Sequence, residues 1–155
     1  MIEIKIGDLL LADEQYIAHQ CNCLTDSAGG IAYYIFKKWI YSDDYTKRKL
    51  SGTIDISGSI KIHGDGKHKR FIINMFSQIY PGSPRYKETL ESREKLFQET
   101  LDKILEIPNL TSIAFPYKIG CGLGGGNWEN YLKMLTKFSE ITSAKVVIYQ
   151  RDGDI

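Results

Sequence analysis

An α/β fold with a largely parallel sheet is what this sequence predicts, and three observations predict it. Strand-like and helix-like segments alternate through the second half of the chain, the pattern of layered α/β proteins. Phe71-Ile72-Ile73-Asn74-Met75-Phe76 is nearly all apolar, as a strand covered on both faces requires. A glycine-rich loop, 120–126, stands between an apolar run at 111–115 and a helical pattern at 127–142.

The elements follow in order. Residues 2–6 alternate as a strand and end at Gly7-Asp8. Residues 16–20 form a short buried strand, and 24–30 is a loop of small and polar residues. Ile31, Ile35, Phe36 and Trp39 recur at helical spacing over 31–40. Ser42-Asp43-Asp44 precedes a second short helix at 45–50, which it can cap. Residues 53–61 and 70–76 read as strands joined through Gly64-Asp65-Gly66. Residues 80–86 contain Pro81, Gly82 and Pro84, and so form a loop. An amphipathic helix at 89–105 places Leu90, Phe97, Leu101, Ile104 and Leu105 on one side, and Pro108 stops it. A last strand occupies 145–149.

The bulk numbers bound the function. The 155 residues fit one domain spanning 1–155, and 43% hydrophobic residues suffice for a full core. Twenty basic residues against nineteen acidic ones give a net charge of +1, with no overall electrostatic footprint for nucleic acid. The basic cluster 67–70 reads as a solvated hairpin turn, with His63 and His68 exposed in that hairpin. Met1 leads directly into a strand, so no signal peptide is expected, and no run reaches membrane-spanning length. Cys21, Cys23 and Cys121 are odd in number and lack zinc spacing. They are expected to be packing residues in a reducing cytoplasm, with no metal site.

In sheets of this kind ligands sit outside the carboxyl ends of the strands. Two loops follow a strand and precede a helix there, 22–30 and 118–126. Five of the seven residues from Gly120 to Gly126 are glycine. Each additional glycine costs roughly 0.5–1 kcal/mol relative to alanine, so a simple turn does not account for five. Glycines let backbone N–H groups approach an anion, and the next helix turns its N-terminal N–H groups the same way. The loop lacks the Gly-Lys-Ser/Thr of a P-loop and the Gly-x-Gly-x-x-Gly of a dinucleotide fold. In the first loop Asn22 offers a donor and an acceptor to ribose hydroxyls, or caps the loop itself. His19 is placed either as a general acid or base or as a buried structural histidine. Asp8 suits the exocyclic amine of a base or an N-cap. Tyr149 suits stacking on a base or a place at the core's edge. The loop 80–86, with Arg85 and two tyrosines, is placed to shape an entrance.

These residues resemble those of the macro domain family, ADP-ribose-binding modules, over nearly the full length of the chain. Gly7-Asp8-Leu9 is similar to the motif that closes that family's first strand, where the aspartate binds the adenine amine. Cys21-Asn22 followed by Gly29-Gly30-Ile31-Ala32 resembles the loop around the distal ribose. Ile119-Gly120-Cys121-Gly122-Leu123-Gly124-Gly125 resembles the pyrophosphate loop, and Tyr149 falls where members place an aromatic residue near the adenine. The resemblance implies a three-layer α/β/α fold around a central mixed, largely parallel sheet. It also implies ADP-ribose or a derivative as ligand, no cofactor and no membrane, with a monomer expected.

His19-Gln20-Cys21-Asn22-Cys23 is similar to the His-x-Cys-Asn-Cys of ADP-ribose 1″-phosphate phosphatases. The resemblance therefore implies hydrolysis of ADP-ribose 1″-phosphate, with His19 and Asn22 catalytic. The alternatives are removal of ADP-ribose from ADP-ribosylated macromolecules and binding without turnover. The sequence departs from the branch that removes ADP-ribose with a lysine and an aspartate, because Gln78 and Gly124 stand near those positions. Neither residue can supply that chemistry.

Overall fold

A computed structural model describes residues 1–152. Its elements run β1 (Ile2–Ile6), β2 (Tyr16–Asn22), α1 (Gly30–Lys38), α2 (Asp44–Ser51), β3 (Ile60–His63) and β4 (Phe71–Gln78). They continue α3 (Leu90–Leu105), β5 (Ser112–Pro116), α4 (Trp128–Ile141) and β6 (Lys145–Gln150). One six-stranded sheet has the order β1-β6-β5-β2-β4-β3. All neighbours are parallel except β3, which pairs antiparallel with β4.

Side chains alternate across the sheet and build two cores. On one face Ala18, Ile73, Met75, Ile113, Phe115, Val146 and Ile148 meet Phe97, Leu101 and Ile104 of α3 and Leu135 and Phe138 of α4. On the other face Ile17, Cys21, Ile72, Phe76, Ala114 and Val147 meet Ile35, Phe36 and Tyr45 from α1 and α2. The architecture is therefore the expected three-layer α/β/α with a mixed, largely parallel sheet. β4 is buried over seven of its eight residues, which is why its sequence is an apolar run rather than an alternation. Cys21 and Cys23 share one core.

The ends of the helices are chemically marked. Asp43 caps α2, Thr89 forms a capping box with Ser92 at α3, and Asn127 caps α4. Trp39 leaves helical geometry, so Ile40 lies in a separate 3-10 turn (Ile40–Ser42) instead of extending α1. No helix among the described residues is long and apolar enough to cross a membrane.

Three expectations need correction. The strand expected at 53–61 exists only from Ile60, because Asp55 turns inward to pair with Arg48 and Lys61. Leu90 is exposed, since it occupies the first turn of α3 beyond the sheet's cover. His63 is not a solvated hairpin residue: it lies 2.8 Å from the buried carboxylate of Asp44.

Asp44 opens a buried polar chain. Asn74 Nδ2 donates to Asp44 Oδ2 and to the Ser42 carbonyl. Asn74 Oδ1 is thereby the acceptor for His19 Nε2–H at 2.7 Å. Burial lowers the His19 pKa to about 4, from an ordinary 6.5, outweighing the hydrogen bond with Asn74 and the Asp44 charge. For Asp44, burial alone would raise the pKa, but hydrogen bonds from His63 and Asn74 hold it below the usual value.

His19 is thus neutral when folded, and the unfolded chain takes up its proton first. Its contribution is fully present above pH 6.5 and falls as the pH drops toward about 4. The loss is on the order of 3 kcal/mol, at about 1.4 kcal/mol per pKa unit. Urea denaturation between pH 7.5 and 4.5 should show this decline, and His19→Gln should flatten it. An unchanged slope in that variant would remove His19 as the cause.

Candidate functional site

The parallel strands deliver their carboxyl ends to one cavity of about 640 Å³, within the range of small-molecule sites. Its long direction follows the strand order. Asp8 and Tyr149, after β1 and at β6, stand at one end. Asn22 and Gln78, closing β2 and β4, stand at the other. The glycine loop after β5 and the start of α1 lie between them.

The glycine loop is rich in free donors. Its carbonyls at Gly120, Gly122 and Gly124 accept from Gly126 N–H, Gly125 N–H and Arg93 respectively. The N–H groups of Gly120, Gly122, Leu123 and Gly124 have no partner among the described residues. At two positions glycine is required by close approach. A Cβ on Gly120, whose φ is +75°, would lie 2.7 Å from the Tyr131 ring. A Cβ on Gly124 would lie 2.7 Å from the Gly120 carbonyl oxygen and 3.3 Å from Gln78 Oε1.

The start of α1 supplies a second set of donors. Its cap, Gly29, makes no side-chain capping bond, so the first N–H groups of the helix remain open to the cavity. The two loops meet where Leu123 Cδ1 stands 3.1 Å from the Cβ position of Gly29. Leu123 itself is 69% exposed and bridges the cleft.

Each loop is held from behind by a buried arginine. Arg48 donates to the carbonyls of Asn22 and Thr25 and to Asn22 Oδ1, and pairs with Asp55 at 2.8 Å. Arg93 donates to the carbonyls of Tyr80, Gly82 and Gly124 and pairs with Glu88 at 2.7 Å. Glu88 also accepts from Ile79 N–H, tying down the chain as it leaves β4. Beneath the glycine loop Ser77 Oγ donates to Gln20 Oε1, Gln20 Nε2 to Gln78 Oε1, and Gln78 Nε2 to the Tyr80 carbonyl.

The cavity brings together Asp8, Leu9, Asn22, Gly29, Gly30, Ile31, Ile119, Gly120, Gly122, Leu123, Gly124 and Tyr149 from the residues expected. Asp8 is both a lining residue and an N-cap, since its Oδ1 accepts from Leu10 N–H. Asn22 offers less than expected: its Oδ1 already accepts from Leu24 N–H, Thr25 N–H, Thr25 Oγ1 and Arg48. Only its Nδ2 donor is left for a ligand. Tyr149 gives its hydroxyl to Glu14 Oε1 at 2.6 Å, so the cavity meets its ring; burial, then that carboxylate, raise its pKa.

Two expected residues lie outside. His19 is fully buried beneath α1, edge-on to Phe36, because it stands three residues short of the strand's end. It is not among the residues that line the cavity. Cys121 packs toward the core, its N–H engaged by the Lys118 carbonyl and its thiol pushed up to about 11 by burial. Missed were Gln20, Tyr45 and Lys118 as lining residues, and Arg48 and Arg93 as supports. Lys118 alone carried a signal, its position at the mouth of the glycine loop, where it takes a left-handed φ of +57°.

No model of a known protein family matches the sequence. An uncharacterized 17.5 kDa protein of Enterobacteria phage T4 is 25% identical over 150 residues, covering 93% of this chain and 94% of that protein. The macrodomain of Mycobacterium tuberculosis DarG superposes with a TM-score of 0.73 at 23% identity, over 98% of this chain and 99% of that one. A mutant Oceanobacillus iheyensis macrodomain with ADPR gives 0.68 at 20% identity, over 97% and 84%. The chain has the macrodomain fold.

Removing one member of a buried ion pair strands the other, at about 3–5 kcal/mol. Arg93→Met should therefore lower unfolding free energy by that order, and adding Glu88→Gln should recover part of it. A loss below about 1 kcal/mol in denaturant titrations would show that the pair does not anchor the loop.

Proposed function

We propose that the cavity binds ADP-ribose or a derivative of it. The observation that carries this reading is the pair of donor sets, from the glycine loop and from α1, facing one cleft, with the carbonyls of Gly120, Gly122 and Gly124 taken by other donors. Such a cleft suits a diphosphate, because unpartnered N–H groups supply the positive potential without a side chain to move. The two ends suit what flanks a diphosphate. Asp8 keeps Oδ2 for the exocyclic amine of a base, beside the Tyr149 ring. Asn22 Nδ2 offers a donor to a distal ribose hydroxyl. The macrodomain fold, and its occupation by ADPR in a structural neighbour, support the same ligand.

Release of phosphate from ADP-ribose 1″-phosphate is the finer reading, supported by the uncapped start of α1. A phosphate on the distal ribose would lie against those N–H groups, which would stabilise charge developing on its oxygens. His19 takes no part in this reaction, being sealed beneath α1. The lysine-based route stays disfavoured on chemistry, because Gln78 has no nucleophilic amine and both ends of its amide are engaged.

Calorimetry should give one ADP-ribose site per chain. Gly122→Val, at a position where a Cβ meets nothing within 4 Å, should weaken it at least about tenfold while the melting temperature stays near that of the wild type. An absence of wild-type binding would sink the proposal. Phosphate should be released from ADP-ribose 1″-phosphate at equal rates by wild type and His19→Gln. No release would leave a binding protein; a His19-dependent rate would contradict the placement of that residue.

A further inference from the structure

The chain leaving α2 carries a feature the ligand cavity does not use. Gly52 ends α2 in a left-handed conformation, φ +71°. The next residues join no strand, yet Ile54 and Ile56 alternate about the buried Asp55 with the period of an extended chain. Ile54 is 67% exposed and Ile56 76%, beside Leu50 at 84%. The segment is fastened on its inner side through Asp55 N–H to the Cys23 carbonyl and the Asp55 carboxylate to Arg48 and Lys61, and at its end through the Ile56 carbonyl, which accepts from Ser59 N–H and Oγ. On its outer side the N–H groups of Ile54 and Ile56 and the Ile54 carbonyl have no partner among the described residues.

Its position is set by the same bonds. Cys23 N–H donates to the Ile79 carbonyl while its own carbonyl accepts from Asp55. The segment thus continues the hydrogen-bonded edge beyond β4 and β2. Asn22, at the ribose end of the cavity, is the residue before Cys23, and Arg48 bonds both Asn22 and Asp55.

We infer that this edge is a docking strip for an extended polypeptide that carries the ADP-ribosyl group held in the cavity. The inference rests on the ADP-ribose reading above and names its substrate class. Unpaired main-chain donors and acceptors at alternate residues are matched by the main chain of another strand. Two exposed isoleucines provide apolar contact for alternate side chains of such a strand. Charge points the same way: the only ionised group within 53–57 is Asp55, already paired inward. The cations that touch the strip, Arg48 and Lys61, are both engaged with that carboxylate, whereas a nucleic-acid partner would need cations for its phosphate backbone.

The test compares three probes on the intact protein by calorimetry: free ADP-ribose, a short alternating Val/Ser peptide carrying one ADP-ribosyl group, and the same conjugate with N-methylated backbone amides. Wild type should bind the plain conjugate at least about tenfold more tightly than free ADP-ribose. N-methylation should abolish that advantage. Ile54→Lys/Ile56→Lys should abolish it too while keeping the affinity for ADP-ribose within about twofold. Equal wild-type affinities for conjugate and free ADP-ribose would overturn the inference, as would an advantage that survives the double substitution. A gain confined to an ADP-ribosylated oligonucleotide would overturn it in favour of nucleic acid. Failure of free ADP-ribose to bind would instead bring down the reading beneath it.

Discussion

Two buried arginines hold the working surface of this protein in place. Arg48 and Arg93 come from different helices on opposite faces of the sheet, yet each does the same thing. Each takes the carbonyls of a loop at the carboxyl edge and is balanced by one carboxylate, Asp55 or Glu88. A buried guanidinium must find acceptors for its fixed fork of donors, and loop carbonyls are what the sheet edge supplies. With those carbonyls taken, the N–H groups of Gly120, Gly122, Leu123 and Gly124 are left without partners among the described residues. The donor-rich character of the cleft is thus maintained from behind, by residues that do not line it.

The glycines make sense within that frame. They supply little freedom in the folded loop, where Gly120 and Gly124 are close-packed against Tyr131, Gln78 and each other's backbone. Their small size lets the chain fold tightly enough for N–H groups to converge. Leu123, the one bulky exposed side chain among them, reaches across to Gly29 and Gly30 and joins the two walls. Gly29 leaves room for that leucine, and Gly30 takes a left-handed φ of +59°.

His19 illustrates what a motif can hide. Beside Cys21 and Asn22 it has the neighbours of a reactive residue. On β2, however, residues alternate between the two cores, and His19 falls on the side covered by α1. There it is desolvated, neutral, and the last member of a chain running through Asn74 and Asp44 to His63. A polar chain of this length is tolerated because every link has its partner.

Much of this protein could be read from its residues. Apolar periodicity located the helices and β4, because burial on one stripe or on both faces is written into local spacing. The five glycines between β5 and α4 marked an anion loop, because the effect of a missing Cβ is local. The partners of charges could not be read. Arg93 reaches Gly124 across 31 residues and Arg48 reaches Asn22 across 26, and nothing in the spacing announces either. Closer in sequence, Arg48 and Lys61 drew Asp55 inward and dissolved the expected strand around it. The acceptor of Asn22 was used up by its own turn, through Leu24 and Thr25, together with Arg48. The sequence by itself determined the layers, the elements and the kind of ligand the loops could face. Tertiary structure alone decided which polar groups remain free to meet that ligand, because a donor or acceptor is available only after every nearer partner has been counted.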